Sequence, residues 1–312
     1  MKKVLLALCI TFLSSCSVIS LHEENDFFGL AKNKDMMYSQ GLALKYFGSD
    51  NDAPQLLKSA TSIIPSLSVN NGLKANKYTL EAGQQMYTPD NIRESEPITD
   101  QNPYVGLLYG KIGKEEITLE EKKWSNLMVG TTGENSLAGQ TQRFIHDLID
   151  NQRPNGWEHQ VDNEIVFMHQ SGFEARDLLV QYKTNKLEQS SGYNLNLGTW
   201  QTSVEIFIAH HFGQGYELFS QSEHCWSWRF YNRPFAKLVA RDMTLDGNTF
   251  HKSEVTVDRI PFVYGNKFGI IFEYDGYALE LGGTTQSKIY EEQKHDWHTW
   301  GGFQVTKLFN LY

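Results

Sequence analysis

The chain has 312 residues and a formal charge of −9, with 37 acidic against 28 basic side chains. That balance argues against a nucleic-acid partner, whose phosphates are bound through clustered cations. Aromatic residues make up 13 % of the chain, and no run approaches the ~20 apolar residues of a spanning helix. A helical membrane protein is excluded, and exported β proteins stay open.

The first residues read as an export signal: Lys2 and Lys3, an apolar run from Val4 to Leu13, then small residues. Two cleavage readings compete. Leu13-Ser14-Ser15-Cys16 resembles a lipobox, which would leave Cys16 lipidated. Ordinary cleavage after Cys16 is favoured, because strand-like sequence begins at Ser17. Residues 1–16 are therefore expected to be a signal peptide and 17–312 one barrel domain, without repeats or linkers. Loss of Lys2 and Lys3 takes the charge to −11. Beyond Cys16 only Cys225 remains, so no intrachain disulfide is expected.

Next in chain order, Glu24-Asn25-Asp26-Phe27-Phe28 sets an amide beside a carboxylate, and Asp35-x-x-Tyr38-Ser39-Gln40-Gly41 adds a hydroxyl. In isolation Asn25-Asp26 would be an ordinary polar turn. Tyr78, Leu80 and Ala82 alternate with Lys77, Thr79 and Glu81, the period of a strand. From Ser136 to Ile149 the pattern changes. Leu137, Phe144, Ile145, Leu148 and Ile149 fall at helical spacings, Gln142 and His146 are i and i+4 on one face, and Pro154-Asn155-Gly156 is expected to end the helix. Tyr104 and Trp157 read as packing or girdle aromatics, and Glu164 as a lumen charge.

Further along, Val204, Ile206 and Ile208 form one strand face, and His210-His211 point to opposite faces and cannot share an ion. Asp246-Gly247-Asn248 reads as a hairpin turn. Phe268, Ile270, Phe272 and Tyr274 alternate up to Asp275-Gly276, and Tyr277, Leu279 and Leu281 alternate after it, a strong hairpin signal. His295 and His298 flank Asp296-Trp297 in an expected loop. The last strand-like run, Gly301 to Tyr312, places Phe303, Val305, Phe309 and Leu311 on one face and resembles the assembly signal of outer-membrane proteins. The runs, about 8 to 11 residues, suit tilted membrane strands.

In their order along the chain, these motifs resemble the outer-membrane lipid A 3′-O-deacylases. The resemblance rests on Glu24 to Phe28 with Tyr38 to Gly41, on Tyr87-Thr88-Pro89, on Asp100 to Tyr109, on Gln142-x-x-x-His146 with Gly156-Trp157-x-x-Gln160-x-x-Asn163-Glu164, and on Leu245 to Phe250. It implies an all-β antiparallel transmembrane barrel of about 12 strands with a short inserted helix carrying the catalytic histidine. It also implies a location in the bacterial outer membrane, calcium as cofactor, and lipid A or lipopolysaccharide as substrate, cut at the ester holding the 3′ acyloxyacyl group. A monomer is expected. The family pattern Asp-Arg-Pro-Tyr-Ala-Gly-Trp is altered here, with Asn102, Val105 and Leu107 in place of its arginine, alanine and tryptophan.

Ester hydrolysis needs a nucleophile, a base and a stabiliser of the developing oxyanion. His146 suits the base, Asp26 a hard cation, Asn25 an oxyanion donor, and Gln142 an orienting group. Water activated by His146 is one nucleophile, and Ser39, through an acyl-enzyme with His146 and Asn25, is the other. Water is favoured, since Ser39 lacks a nucleophile-elbow sequence. A phospholipase-type serine esterase and a non-catalytic pore or adhesin barrel are the rival functions.

Overall fold

The computed structural model describes residues 18–26, 37–65, 75–218 and 226–307. The expected signal peptide, Phe27-Phe28, Asp35, Cys225 and the terminal Phe309 to Tyr312 lie outside them. Twelve antiparallel strands follow one another around a closed barrel: β1 (Val18–Asn25), β2 (Met37–Ser49), β3 (Ala75–Thr88), β4 (Val105–Ile117), β5 (Glu121–Thr131), β6 (Ile165–Tyr182), β7 (Asn185–Gly198), β8 (Gln201–Gln214), β9 (Trp226–Asp242), β10 (Phe262–Tyr274), β11 (Tyr277–Ser287) and β12 (Trp297–Lys307). The last strand pairs back onto the first, from Ile19 with Lys307 to Asn25 with Gly301. No edge is left among them, which is what a sheet needs in a medium that offers no hydrogen bonds.

Alternation sorts the side chains into two environments. Leu42, Leu44, Leu80, Val204, Ile206, Ile208, Phe272, Leu279 and Leu281 are exposed on the outer wall, an apolar belt for lipid. Inside, charges are paired: Glu81 with Lys111 at 2.8 Å, Arg176 with Glu188 at 3.2 Å and Arg233 with Glu205 at 3.2 Å. Pairing is the condition for burying a charge. Asp275 (φ 44°) and Gly276 (φ 79°) form the two-residue turn between β10 and β11, the left-handed pair such a hairpin requires.

Several strands outrun the expected 8 to 11 residues, β6 with 18 and β9 with 17, because pairing continues past the apolar belt. The segments 89–104, 132–164, 243–261 and 288–296 emerge at one end together with the short 199–200 connection; at the other end 118–120, 183–184 and 275–276 turn tightly, beside the longer connections 50–74 and 215–225. Tight turns mark the periplasmic side, so the end that carries 132–164 and most of the long loops is the outer-leaflet side. There Val105, Leu107, Met128, Val161, Val166, Met168, Trp200 and Met243 form an apolar core across the barrel end.

Among the described residues three short α-helices interrupt the strands: α1 (Gln55–Thr61), α2 (Ala138–Leu148) and α3 (Met243–Asp246). Two turn expectations are corrected by them. Helix α2 stops at Leu148, before Pro154-Asn155-Gly156, because Asp150 adopts φ 52°. Asp246-Gly247-Asn248 closes α3 within the long β9–β10 loop instead of joining two strands directly, with Gly247 at φ 73°. His298 is also displaced from its expected loop, since β12 begins at Trp297.

Candidate active site

Helix α2 lies against the outside of the barrel. A 3-10 turn, Gly133–Ser136, leads into it, and Leu137 between them takes φ 60°, a strained left-handed conformation for a branched residue. Gly106 on β4 makes the close approach possible, since a Cβ there would come within 2.1 Å of Ser136 Oγ and 2.4 Å of Ala138 Cβ. Gly139 likewise admits the Trp157 ring, 2.9 Å from an added Cβ. Met86, Ile92, Tyr104, Ala138 and Trp157 then form a small core between wall and helix, and Gln84 Nε2 donates to the Ser136 carbonyl at 2.7 Å.

The helix is amphipathic in the inverse sense. Ala138, Gly139, Gln142 and His146 are its buried residues, whereas Leu137, Phe144, Leu148 and Ile149 are exposed. In water this would expose the apolar stripe, but on a barrel wall within lipid it puts apolar side chains into hydrocarbon and shelters polar ones.

Both polar side chains are oriented by partners. Trp157 Nε1 donates to Gln142 Oε1 at 2.7 Å. An indole N–H can only donate, so the oxygen of the amide faces Trp157 and its NH₂ group is turned the other way. His146 Nδ1 hydrogen-bonds the Gln152 carbonyl. A carbonyl only accepts, so Nδ1 carries a proton, and the tautomer that this bond selects has its lone pair on Nε2.

The remaining predicted residues approach the same wall from β1 and β2. Asn25 pairs with Gln40 at the end of β1 and shares the outward parity of Leu21. Asp26 follows and is buried. Ser39 is the extra residue of a β-bulge, since Tyr38 faces Tyr87 and Gln40 faces Met86. Bulges re-aim side chains, and here Ser39 Oγ meets Thr88 Oγ1 at 2.6 Å. Thr88 in turn accepts from Asn102 Nδ2 at its carbonyl, at 2.8 Å. Contacts therefore run from β1 and β2 through β3 to Trp157 and α2, all at the outer-leaflet end.

Among the described residues no group of three or more His, Cys, Asp or Glu is gathered for a metal. Asp26 with the Asn25 amide oxygen nevertheless offers only hard oxygen donors, the type calcium selects; a shell built on one carboxylate is completed by carbonyls, amides and water. This donor set fits the ion.

Two other polar clusters differ. A cavity of 620 Å³ inside the barrel is lined by Glu24, Tyr38, Lys122, Glu174, His211 and Arg233, among others, and none of Asn25, Asp26, Ser39, Gln142 or His146 borders it. At its wall Ser190 Oγ donates to Glu174 Oε1 at 2.6 Å and lies 3.2 Å from His211 Nε2, both of which line the cavity. The carboxylate holds the serine rather than the imidazole, the reverse of a triad. Glu164 is not a lumen charge. It sits at the loop end and accepts from the backbone of Thr249 at 2.9 Å and of Phe250 at 3.3 Å, and from Asn248 Nδ2 at 3.2 Å. Burial pushes its carboxyl up, but those donors outweigh it and hold it below the usual range. Glu164 therefore clamps the β9–β10 loop to the segment carrying the helix.

Trp157 packs in the small core as its sequence reading expected, and its indole N–H also holds Gln142, a contact that the reading did not foresee. Nothing in the 15-residue separation from Gln142 announces their bond.

A family model described as outer membrane protein LpxR matches residues 4–309. None of the curated proteins matches the chain. Among solved structures, LpxR from Salmonella typhimurium superposes with a TM-score of 0.76 at 13 % identity, over 94 % of this chain and 100 % of that one. The β domain of the Bordetella autotransporter BrkA gives 0.46 at 7 % identity, over 95 % and 100 %.

Proposed function

Since the chain belongs to the LpxR family of outer membrane proteins, we propose that it is a lipid A-modifying hydrolase that cuts the 3′-linked acyl or acyloxyacyl ester, with calcium as cofactor. The observation that carries this reading is the buried Gln142–His146 pair of α2, a helix packed on the outside of the barrel wall near its outer-leaflet end. A substrate embedded in the outer leaflet reaches that wall without leaving the membrane.

In this mechanism His146 Nε2 takes a proton from a water molecule as the water oxygen attacks the ester carbonyl. The NH₂ of Gln142, aimed away from Trp157, and the side-chain amide of Asn25 donate to the oxygen that becomes negative. His146 then returns the proton to the leaving alkoxide, which releases the fatty acid and the free hydroxyl. Calcium, held by Asp26 with oxygen from Asn25, would polarise the carbonyl as a Lewis acid. Ser39 supports the water route by its partner, since its hydroxyl is engaged with Thr88 and not with an imidazole.

The test is the mass of lipid A from cells producing the chain, beside a His146→Ala control. Loss of an acyl mass only with the intact histidine is expected. An unchanged mass from both, with the barrel folded and calcium supplied in detergent, overturns the reading.

A further inference from the structure

The outer wall below α2 has a regular grid of lipid-facing side chains. Register places Gln40, Met86 and Gly106 in one row, and Leu42, Gln84 and Leu108 in the next. The third row reads Leu44, Ala82, Gly110 and Val129, and the fourth Tyr46, Leu80, Ile112 and Leu127. Helix α2 and the 3-10 turn before it cover Met86 and Gly106 of the first row and reach Gln84 of the second. Helix α1 covers the wall lower down, where Ala53 and Leu57 pack on Tyr78, Tyr46 and Ile112.

The third row is therefore a gap between two helices, and its two central positions are the smallest residues available. A Cβ added to Gly110 would meet no atom within 4 Å, whereas one at Gly106, two rows higher, collides with the helix. Leu44, Leu80, Leu108 and Val129 are all exposed around the gap. The result is an apolar notch, directly below the part of the wall on which α2 and its 3-10 turn pack. From Met86 to Ala82 is four residues, about 14 Å at ~3.4 Å each. A long fatty acyl chain hanging from an ester at the site spans that distance, and a butyryl chain does not.

We propose that this notch seats the acyl chain of the lipid substrate and sets which chain lengths are cleaved. The inference rests on the deacylase reading for the identity of the lipid. Its occupant is hydrocarbon because the notch lies in the belt that faces lipid, carries no charged side chain, and opens below the helix that carries Gln142 and His146.

The experiment uses the full-length barrel in detergent with lipid A carrying a diazirine midway along the 3′ acyl chain. Illumination should concentrate adducts on the Leu44, Ala82, Gly110 and Val129 row. Gly110→Leu should reduce that labelling roughly tenfold, the scale on which a filled apolar pocket discriminates. Ala236→Leu, on the lipid-facing wall of β9 opposite Ile206 and Tyr264, should leave it unchanged. Adducts spread evenly around the belt, or labelling indifferent to Gly110→Leu, overturn the proposal. Acid release is followed in parallel on unmodified lipid A. Labelling concentrated in the notch without hydrolysis by the wild-type chain would reject the deacylase reading and keep the notch.

Discussion

Trp157 donates its indole N–H to Gln142 Oε1 across 2.7 Å, from a ring buried between the barrel wall and α2. This bond decides which end of the Gln142 amide is presented to a substrate. Trp157→Phe keeps an apolar ring but lets the amide rotate. The expected result is a kcat lower by roughly tenfold, the worth of one hydrogen bond, with KM little changed. Equal heat-modifiability on a gel would establish that the barrel is intact. A rise in KM alone would show that Trp157 only packs.

His146→Ala removes the proposed base, and the loss in kcat should be ~10²- to 10⁴-fold. His146 Nδ1 is oriented by a backbone carbonyl, so His146→Asn, which mimics only the Nδ1 donor, should be no better than alanine. Activity within twofold of wild type in either variant would remove the histidine from the mechanism.

Ser39 separates the two nucleophiles. If water attacks, Ser39→Ala removes a hydrogen bond to Thr88 and should cost no more than about tenfold. An acyl fluorophosphonate should then leave no adduct on Ser39 in the wild-type protein. A stoichiometric adduct would establish the acyl-enzyme instead.

Removal of calcium by a chelator should abolish deacylation, and added calcium should restore it. Asp26→Asn keeps one oxygen donor but loses the charge, so the calcium concentration for half-maximal activity should rise by about tenfold or more. Full activity in the presence of chelator would detach the cation from this chain.

One loop contact carries a pH dependence. His159 Nδ1 lies 2.9 Å from Glu254 Oε2, and that hydrogen bond to the carboxylate raises the imidazole above its ordinary value. A raised folded value means that the docking contribution is complete below the unfolded pKa of ~6.5 and is lost as pH rises through the higher folded value. Protease cleavage of the 157–159 segment should therefore accelerate on the alkaline side. Glu254→Gln should make the rate flat and fast. A pH-independent rate in the wild-type protein would contradict this.

Much of the barrel was legible from period-2 alternation. Val204, Ile206 and Ile208 share the lipid face as their spacing implied, and Asp275-Gly276 turns the hairpin. His210 and His211 do fall on opposite sides, with His211 in the lumen. The existence of α2 was legible too, but its orientation was not. Spacing reveals a stripe without saying which solvent it meets, and only the packing of Ala138 and Trp157 on Met86 reveals that the apolar side points outward. Glu164 was misassigned for a related reason. Its partners, Asn248 to Phe250, come from a loop more than 80 residues away, a proximity that no local pattern encodes.

The inverse amphipathicity of α2 also bears on how this segment tolerates change over evolutionary time. In a helix on a water-soluble protein, selection holds the apolar stripe and lets the polar side drift. Here the constraint is exchanged. Phe144 and Leu148 are mostly exposed to a fluid medium, so a residue of similar hydrophobicity should serve in their place. Gln142, His146 and the small Ala138 and Gly139 meet fixed partners, and substitution there should be far more costly.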